Sequence, residues 1–294
     1  MLFIFLFIFG LVIGSFLNVV ALRYDPEKDI FDLKNLGGRS HCPKCGRTLL
    51  WYELIPVFSF IFLWGKCRTC LQKISWQYPI VEILSGLIFI LPIYFLNYYN
   101  INYLLASGAN IFWFYAVSAI WVLAFLSFLL LSLIDFKFFI IPDSLNIFLA
   151  ILGVVKISIF YLADRTEYFY TSFLGGYSML FGLQENIWLN HFTALAFGSI
   201  FFGMIIYITR GRGMGMGDLK LIAALGFLLG WPDIAFTTLA SFIIGGIVGV
   251  VLMLRNQKTM KDALPFGPFI VLGVLTTIFF GESLLKLYFS VFNI

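Results

Sequence analysis

The sequence predicts an all-α polytopic membrane protein of about eight transmembrane helices, with a small cytoplasmic four-cysteine zinc module between the first and second. Three observations predict it. The 294 residues are 61% hydrophobic and 12% charged, with a mean hydropathy of +0.98. That is more apolar surface than a soluble domain buries, and bilayer lipid solvates it instead. The apolar residues gather into eight segments near spanning length, and the basic residues alternate in density from one connecting loop to the next. The net charge of +4 is small and argues against nucleic acid as a partner.

The first segment, 2–22, has no basic residue before it and no small-x-small cleavage site after it, so it reads as a retained span rather than a signal peptide. The other candidates are 80–98, 109–134, 144–163, 191–209, 219–230, 234–254 and 266–290, measured against the roughly 20 residues a span needs. The 219–230 stretch is short and ends at Trp231-Pro232-Asp233, which predicts a tight helical hairpin with its successor. Ser241, Gly245 and Gly249 recur every fourth residue and form a small-residue packing face. Between 164 and 190, Tyr168-Phe169-Tyr170 and the run Phe173 to Phe181 are apolar but broken by Gly175-Gly176. This segment reads as an interfacial or re-entrant piece.

Charge sets the orientation. Nine basic residues, Arg23 to Lys73, lie between the first two spans. On the same side by alternate counting fall Lys137, the trio Arg210, Arg212 and Lys220, and the trio Arg255, Lys258 and Lys261. That side holds 16 of the 19 basic residues, whereas the opposite loops hold Arg165 and Lys286, and Lys156 sits within span four. The rule predicts both termini outside and the long first loop in the cytoplasm.

That loop carries Cys42-Pro43-Lys44-Cys45 and Cys67-Arg68-Thr69-Cys70. Two CxxC knuckles suit a closed tetrahedral Zn²⁺ site of structural type, and basic neighbours help keep the thiols ionised. The alternative, a pair of redox dithiols, fits a reducing cytosol poorly. His41 adjoins Cys42 but is a bystander once four thiolates fill the shell. The apolar stretch Leu54 to Trp64 is too short to span and reads as lying on the membrane surface.

Two aspartates stand at cytoplasmic span ends: Asp135 after Leu130–Ile134, and Asp218 closing Gly213-Met214-Gly215-Met216-Gly217-Asp218. An ionised Asp in the bilayer costs at least about 2.5–3.5 kcal/mol, so it marks function by default. Topology puts both at one depth on one side. If they meet, they share a proton: the ionised member takes a proton from attacking water and the protonated one donates to a peptide carbonyl. Gly215 and Gly217 would give backbone freedom and close substrate approach. A phosphate loop is excluded by the absence of GxxxxGK[ST]. Helix capping by both aspartates is the plain alternative. Asp143, after Ile141-Pro142, reads as a helix-start residue.

These residues resemble the bacterial type IV prepilin peptidase family, the membrane leader peptidase/N-methyltransferases that are GxGD intramembrane aspartic proteases. The resemblance runs through Gly14 to Val20 with Arg23, Arg39-Ser40-His41-Cys42-Pro43, Trp51 to Pro56, Gly65-x-Cys67-x-x-Cys70, Ile74-Ser75 and Tyr78-Pro79-x-Val81-Glu82. It continues through Ile134-Asp135, Ile141-Pro142-Asp143, Gly213 to Asp218 with Lys220, and Pro265-Phe266-Gly267-Pro268. It implies catalytic Asp135 and Asp218, supported by Gly215, Gly217, Pro142, Asp143 and Lys220. It implies cleavage of prepilin or pseudopilin leaders at the cytoplasmic face of the inner membrane, serving type IV pili or type II secretion. N-methylation of the new N-terminus, commonly Phe, from S-adenosylmethionine would follow, with Glu53 and Tyr78 as candidates. The corresponding organisation is a first span at 1–22, a zinc-binding and methyltransferase loop at 23–79 and a protease domain at 80–294. Trp76-Gln77 departs from the family pattern, where a basic residue precedes Tyr78-Pro79, and the 164–190 loop is longer than in the family. A GxGD protease without methyl transfer is the nearest alternative. A cation transporter predicts carboxylates at mid-span, and a membrane thiol oxidoreductase predicts external cysteines.

Overall fold

In lipid every backbone N–H and C=O must find a partner within the chain, which leaves helix as the economical answer for long apolar segments. The computed structural model describes residues 1–28, 30, 37–106, 111–162, 172–181, 186–257, 259 and 262–292. Ten α-helices are described: α1 Leu2–Arg23, α2 Phe58–Phe62, α3 Gln77–Ala106, α4 Ile111–Phe138, α5 Asp143–Leu162, α6 Ser178–Phe181, α7 Ile187–Thr209, α8 Met216–Leu229, α9 Asp233–Leu254 and α10 Gly267–Phe292. Among the described residues there is no strand, only isolated bridges at His41–Thr48 and Lys66–Lys73. Six helices are long and apolar enough to cross a membrane, and the apolar stretch Gln77–Leu91 of α3 is shorter. The chain is therefore a multi-pass membrane protein. Tyr168-Phe169-Tyr170, Lys34, Arg165, Lys258 and Lys261 lie outside the described residues.

The chain divides into two compact units. The first comprises residues 1–102 and 121–130. Here α1 and α3 cross at glycines: a Cβ on Gly10 would stand 2.7 Å from the Gly86 Cα, and one on Gly14 would stand 2.7 Å from the Glu82 Cα. Small residues let helix backbones approach where no water is available to drive association. Asn18, buried in α1, donates to the Tyr78 carbonyl at 3.3 Å. Phe58, Ile61, Phe62 and Trp64, on and after α2, are all exposed.

The second unit comprises residues 103–120 and 131–294. Its helices also meet at small residues. A Cβ on Gly226 of α8 would fall 2.6 Å from the Leu195 backbone of α7, and one on Gly153 of α5 would fall 2.7 Å from Phe227. Ser241 of α9 faces Gly273 of α10, Gly245 lies against Phe269 and Phe266, and Thr237 bonds Thr277 at 2.7 Å. The small-residue face read from the sequence is thus the α9–α10 seam. The 14 residues of α8 reach about 21 Å at 1.5 Å per residue, short of a roughly 30 Å hydrocarbon core. Asn190 of α7 completes the turn that follows, accepting from the Trp231 N–H at 2.9 Å and donating to its carbonyl at 2.7 Å.

Close to this turn are two buried ionisable groups in each other's field, which the sequence only hinted at. Lys156 is fully buried, and its Nζ donates to the Leu228 carbonyl at 2.5 Å. It interacts electrostatically with Asp233, also fully buried. Asp233 accepts from the Ser172 hydroxyl at 2.7 Å and the Phe173 N–H at 3.0 Å. The described part of the 164–190 segment is therefore tied to the start of α9, and Tyr177 stacks on Phe289 of α10 at 5.1 Å. Removing one partner of a buried pair strands the other charge. Asp233→Asn should lower stability by roughly 3–5 kcal/mol, and Lys156→Met/Asp233→Asn should recover most of it. Thermal unfolding of the detergent-solubilised proteins checks this; a double variant no more stable than the single one contradicts it.

Candidate functional site

Two clusters of reactive side chains stand out, one in each unit. In the second unit, Asp135 lies in the last turn of α4, and Phe139 ends that helix with φ 57°. The Asp135 Oδ2 accepts from the N–H of Gly267, the first residue of α10, at 2.9 Å. A carboxylate at a helix N-terminus meets both an orphan donor and the positive end of the helix dipole. The approach requires glycine on grounds of space. A Cβ at Gly267 would stand 2.7 Å from Asp135 Oδ2, 3.0 Å from Leu131 and 3.3 Å from Ile141.

Asp218 occupies the third position of α8, and its Oδ2 accepts from the N–H of Gly215 at 3.1 Å. This is the helix-capping geometry, so the capping reading holds for one oxygen of Asp218. Gly215 itself has φ −83°, which any residue adopts, and a Cβ there would make only ordinary contact. Gly217 is the constrained glycine: its Cβ would stand 3.1 Å from the Cβ of Ile141. The expected backbone freedom at these two glycines is thus replaced by one tight packing contact.

Ile141 packs close to both Gly217, next to Asp218, and Gly267, the partner of Asp135. Asp135 and Asp218 are 4% and 8% exposed and interact electrostatically. One oxygen of each accepts a backbone N–H. Pro142 follows Ile141, and its carbonyl accepts from the Leu145 and Asn146 N–H groups of α5. Asp143 opens α5, as expected, and binds Lys220 of α8 at 2.9 and 2.7 Å. Gly267 was present in the sequence as Pro265-Phe266-Gly267-Pro268 but carried no expected role.

In the first unit the four cysteines converge. The Sγ atoms of Cys42, Cys45, Cys67 and Cys70 all lie within 4.8 Å of one another. The two knuckles are built alike. Cys42 N–H donates to Arg47 O at 2.9 Å and Gly46 N–H to Cys42 O at 2.9 Å; Cys67 N–H donates to Gln72 O at 2.8 Å and Leu71 N–H to Cys67 O at 3.0 Å. Each turn closes on a residue of positive φ, Gly46 at 71° and Leu71 at 57°. The backbone N–H groups of Cys70 and Thr69 point at the Cys67 sulfur and bring its pKa down to about 6. Cys70 receives one N–H from Gln72, but burial and the thiols around it push it up to about 11. A tetrahedral site with 2.3 Å metal–sulfur bonds has edges of about 3.8 Å, and Cys42 Sγ and Cys70 Sγ are 3.9 Å apart. The cluster has the donor set and the close spacing to hold a metal ion. His41 pairs with Thr48 and stays outside it.

Glu53 is buried beside this module and fully engaged. One Arg47 Nη reaches both its oxygens at 2.5 and 2.6 Å, and the Leu50 N–H donates to Oε2 at 2.8 Å. Burial works against the ionised form, but the Leu50 N–H and Arg47 outweigh it and hold the pKa below the usual carboxylate value. Tyr78 offers its carbonyl to Asn18 and its ring to a pocket of about 570 Å³ beneath the module.

A family model described as Bacterial Peptidase A24 N-terminal domain matches residues 8–96, and one described as Type IV leader peptidase family matches residues 121–250. The chain is 30% identical over 285 residues to the prepilin leader peptidase/N-methyltransferase of Bacillus subtilis (strain 168), covering 96% of each chain. It is 29% identical to the protein of that name from Aeromonas salmonicida (strain A449), covering 97% of this chain and 92% of the relative. The figures for the Legionella pneumophila protein of the same name are 28%, 96% and 92%. No solved structure matches the chain.

A depressed folded-state pKa at Glu53 stabilises the loop at pH values above the unfolded pKa of about 4.3. That stability falls away as pH drops through the folded value. Protection factors for the amides of residues 37–79, corrected for the pH dependence of intrinsic exchange, should be highest at neutral pH and fall as pH drops through the folded value. Glu53→Gln should exchange faster at pH 7 and lose this part of the acid dependence; identical profiles for the two proteins would contradict the assignment.

Proposed function

The chain belongs to the type IV leader peptidase family, and from that premise we propose that it removes the leaders of type IV prepilins and pseudopilins with Asp135 and Asp218. It then N-methylates the exposed residue. Carrying the protease reading is one observation: two buried carboxylates, each tied to a backbone N–H and each within the other's field. Two such groups cannot both ionise cheaply and share one proton. The ionised member takes a proton from water as its oxygen attacks the scissile carbonyl carbon. The protonated member donates to the carbonyl oxygen, and collapse of the tetrahedral intermediate breaks the C–N bond as the leaving amine takes a proton. Gly267 and Gly217 position the pair, and the Asp143–Lys220 bridge links α5 to α8 beside it.

The same reading takes the bundle as eight spans in the inner membrane, with both termini outside and residues 23–79 cytoplasmic. The placement of 16 of the 19 basic residues supports it. The four cysteines hold Zn²⁺, which when bound cross-links the two knuckles and fixes the loop; the set of four converging thiols supports that identity. S-adenosylmethionine, when bound, supplies an electrophilic methyl group. Glu53, saturated by Arg47 and Leu50, serves the transfer by shaping the loop, and Tyr78 by lining the pocket beside it.

Asp135→Asn or Asp218→Asn should lower prepilin cleavage by at least about 10²–10⁴-fold, since Asn cannot cycle a proton, while Asp143→Ala keeps measurable activity. Gly267→Ala should also lose most cleavage by displacing Asp135. Mass analysis of a prepilin incubated with each purified protein reads this, and full-rate processing by Asp218→Asn sinks the mechanism. Freshly reduced protein should carry about one zinc per chain; metal analysis finding none, with four free thiols, overturns the ion's identity.

A further inference from the structure

Glu82 is the unusual group of the first unit. It is 6% exposed, its Cα pinned by Gly14 of α1. Its Oε2 accepts from the Val57 N–H at 2.7 Å, and the Ser15 hydroxyl also bonds its carboxylate. Among the described residues no cation pairs with it. An isolated buried carboxylate is costly, and Glu53 beside it shows how the chain neutralises such a charge when shape alone is at stake. Glu82 instead lines the pocket of about 570 Å³ with Ser15 and Tyr78, a volume within the roughly 300–1,000 Å³ of small-molecule sites.

The remaining walls narrow the ligand class. Phe60 and Tyr78 supply aromatic surface for a flat ring or a cation. Arg23, Lys44, Arg68 and Lys73 also line it and supply positive charge suited to a carboxylate. The pocket thus combines an apolar aromatic slot, an uncompensated anion and a basic rim. A zwitterionic nucleoside carrying a permanent cation matches all three, and the methyl donor is such a molecule. We propose that S-adenosylmethionine binds in this pocket between α1, the cysteine module and the first turns of α3, with Glu82 facing its sulfonium. The proposal rests on the N-methyltransferase reading and adds to it a place and a residue. Methyl transfer forms the N–C bond to the substrate amine, breaks the S–C bond and leaves a neutral thioether; the amine then sheds one proton. Glu82 therefore attracts the donor and not the product, which favours exchange after each turnover.

The test uses the full-length, zinc-loaded protein in detergent, with equilibrium dialysis of S-adenosylmethionine and S-adenosylhomocysteine. Wild type should bind the donor about tenfold more tightly than the product, as expected for a charge facing a sulfonium in a partly desolvated site. Glu82→Gln keeps an acceptor for Val57 and should bring the two affinities within about twofold of each other. Photolabelling of the wild-type protein by the donor, located by mass spectrometry, should mark peptides within residues 15–82. Asp218→Asn should bind the donor like wild type while failing to cleave. An unchanged donor-to-product ratio in Glu82→Gln, or label confined to residues 111–292, overturns the pocket and leaves the enzyme's reading intact. Loss of donor binding to phosphatidylglycerol would also overturn it, because the basic rim would then be a lipid-headgroup site. A wild-type protein that binds no donor and yields only unmethylated mature pilin overturns the N-methyltransferase reading itself.

Discussion

The hydrogen bond from the Gly267 N–H to Asp135 is the constraint around which the second unit is arranged. It joins residues far apart in sequence and places a carboxylate at the start of a helix, where an orphan donor and the dipole both favour it. The start of α10 must therefore be held firmly. Phe266 does this from within a ring cluster with Phe202, Phe242 and Phe269, at centroid separations of 5.1 to 6.2 Å. Ile141 fills the space between Gly267 and Gly217, so the height of Asp218 is set by the same side chain. A larger residue at either glycine would push one aspartate away from the other.

Much of this was legible in the sequence, and the reason differs by residue. The long spans could be read because apolar length is a local property, and each predicted span falls on a helix. Asp135 and Asp218 stood out because a carboxylate at the end of an apolar run is costly, and both are buried, with Asp218 in the field of Asp135. The four cysteines could be read from spacing alone. Gly267 could not, since its role is an absence of atoms opposite a residue on another helix. Lys156 read only as a stray cation in span four, and Asp233 as part of a turn; their pairing exists only once α5 and α9 are packed. Gly215 and Gly217 looked equivalent, yet one is an ordinary helix cap and the other a close packing contact.

The two glutamates of the first unit show why residue type underdetermines role. Glu53 and Glu82 are both nearly inaccessible and both border one pocket. Arg47 and a backbone N–H satisfy Glu53, and the result is a closed clamp on the turn Trp51–Leu54. Glu82 has backbone and hydroxyl donors but, among the described residues, no counter-charge. The first resembles the buried pairs that set local shape, the second the unbalanced charges found where ligands bind.

The bond between Glu82 and Val57 also orders the chain in time. Val57 has φ 61° and ψ −49°, and Phe58 N–H reaches back to Pro56 O at 2.6 Å. This is a tight three-residue turn that a β-branched side chain resists, at a cost of about 1–3 kcal/mol. The donor that Val57 contributes is accepted by a residue 25 positions further along, on α3. During synthesis Val57 emerges from the ribosome ahead of the carboxylate that fastens it. That bond needs α3 seated against α1 at Gly14, so the placement of the second long helix sets the moment at which the loop takes its final form.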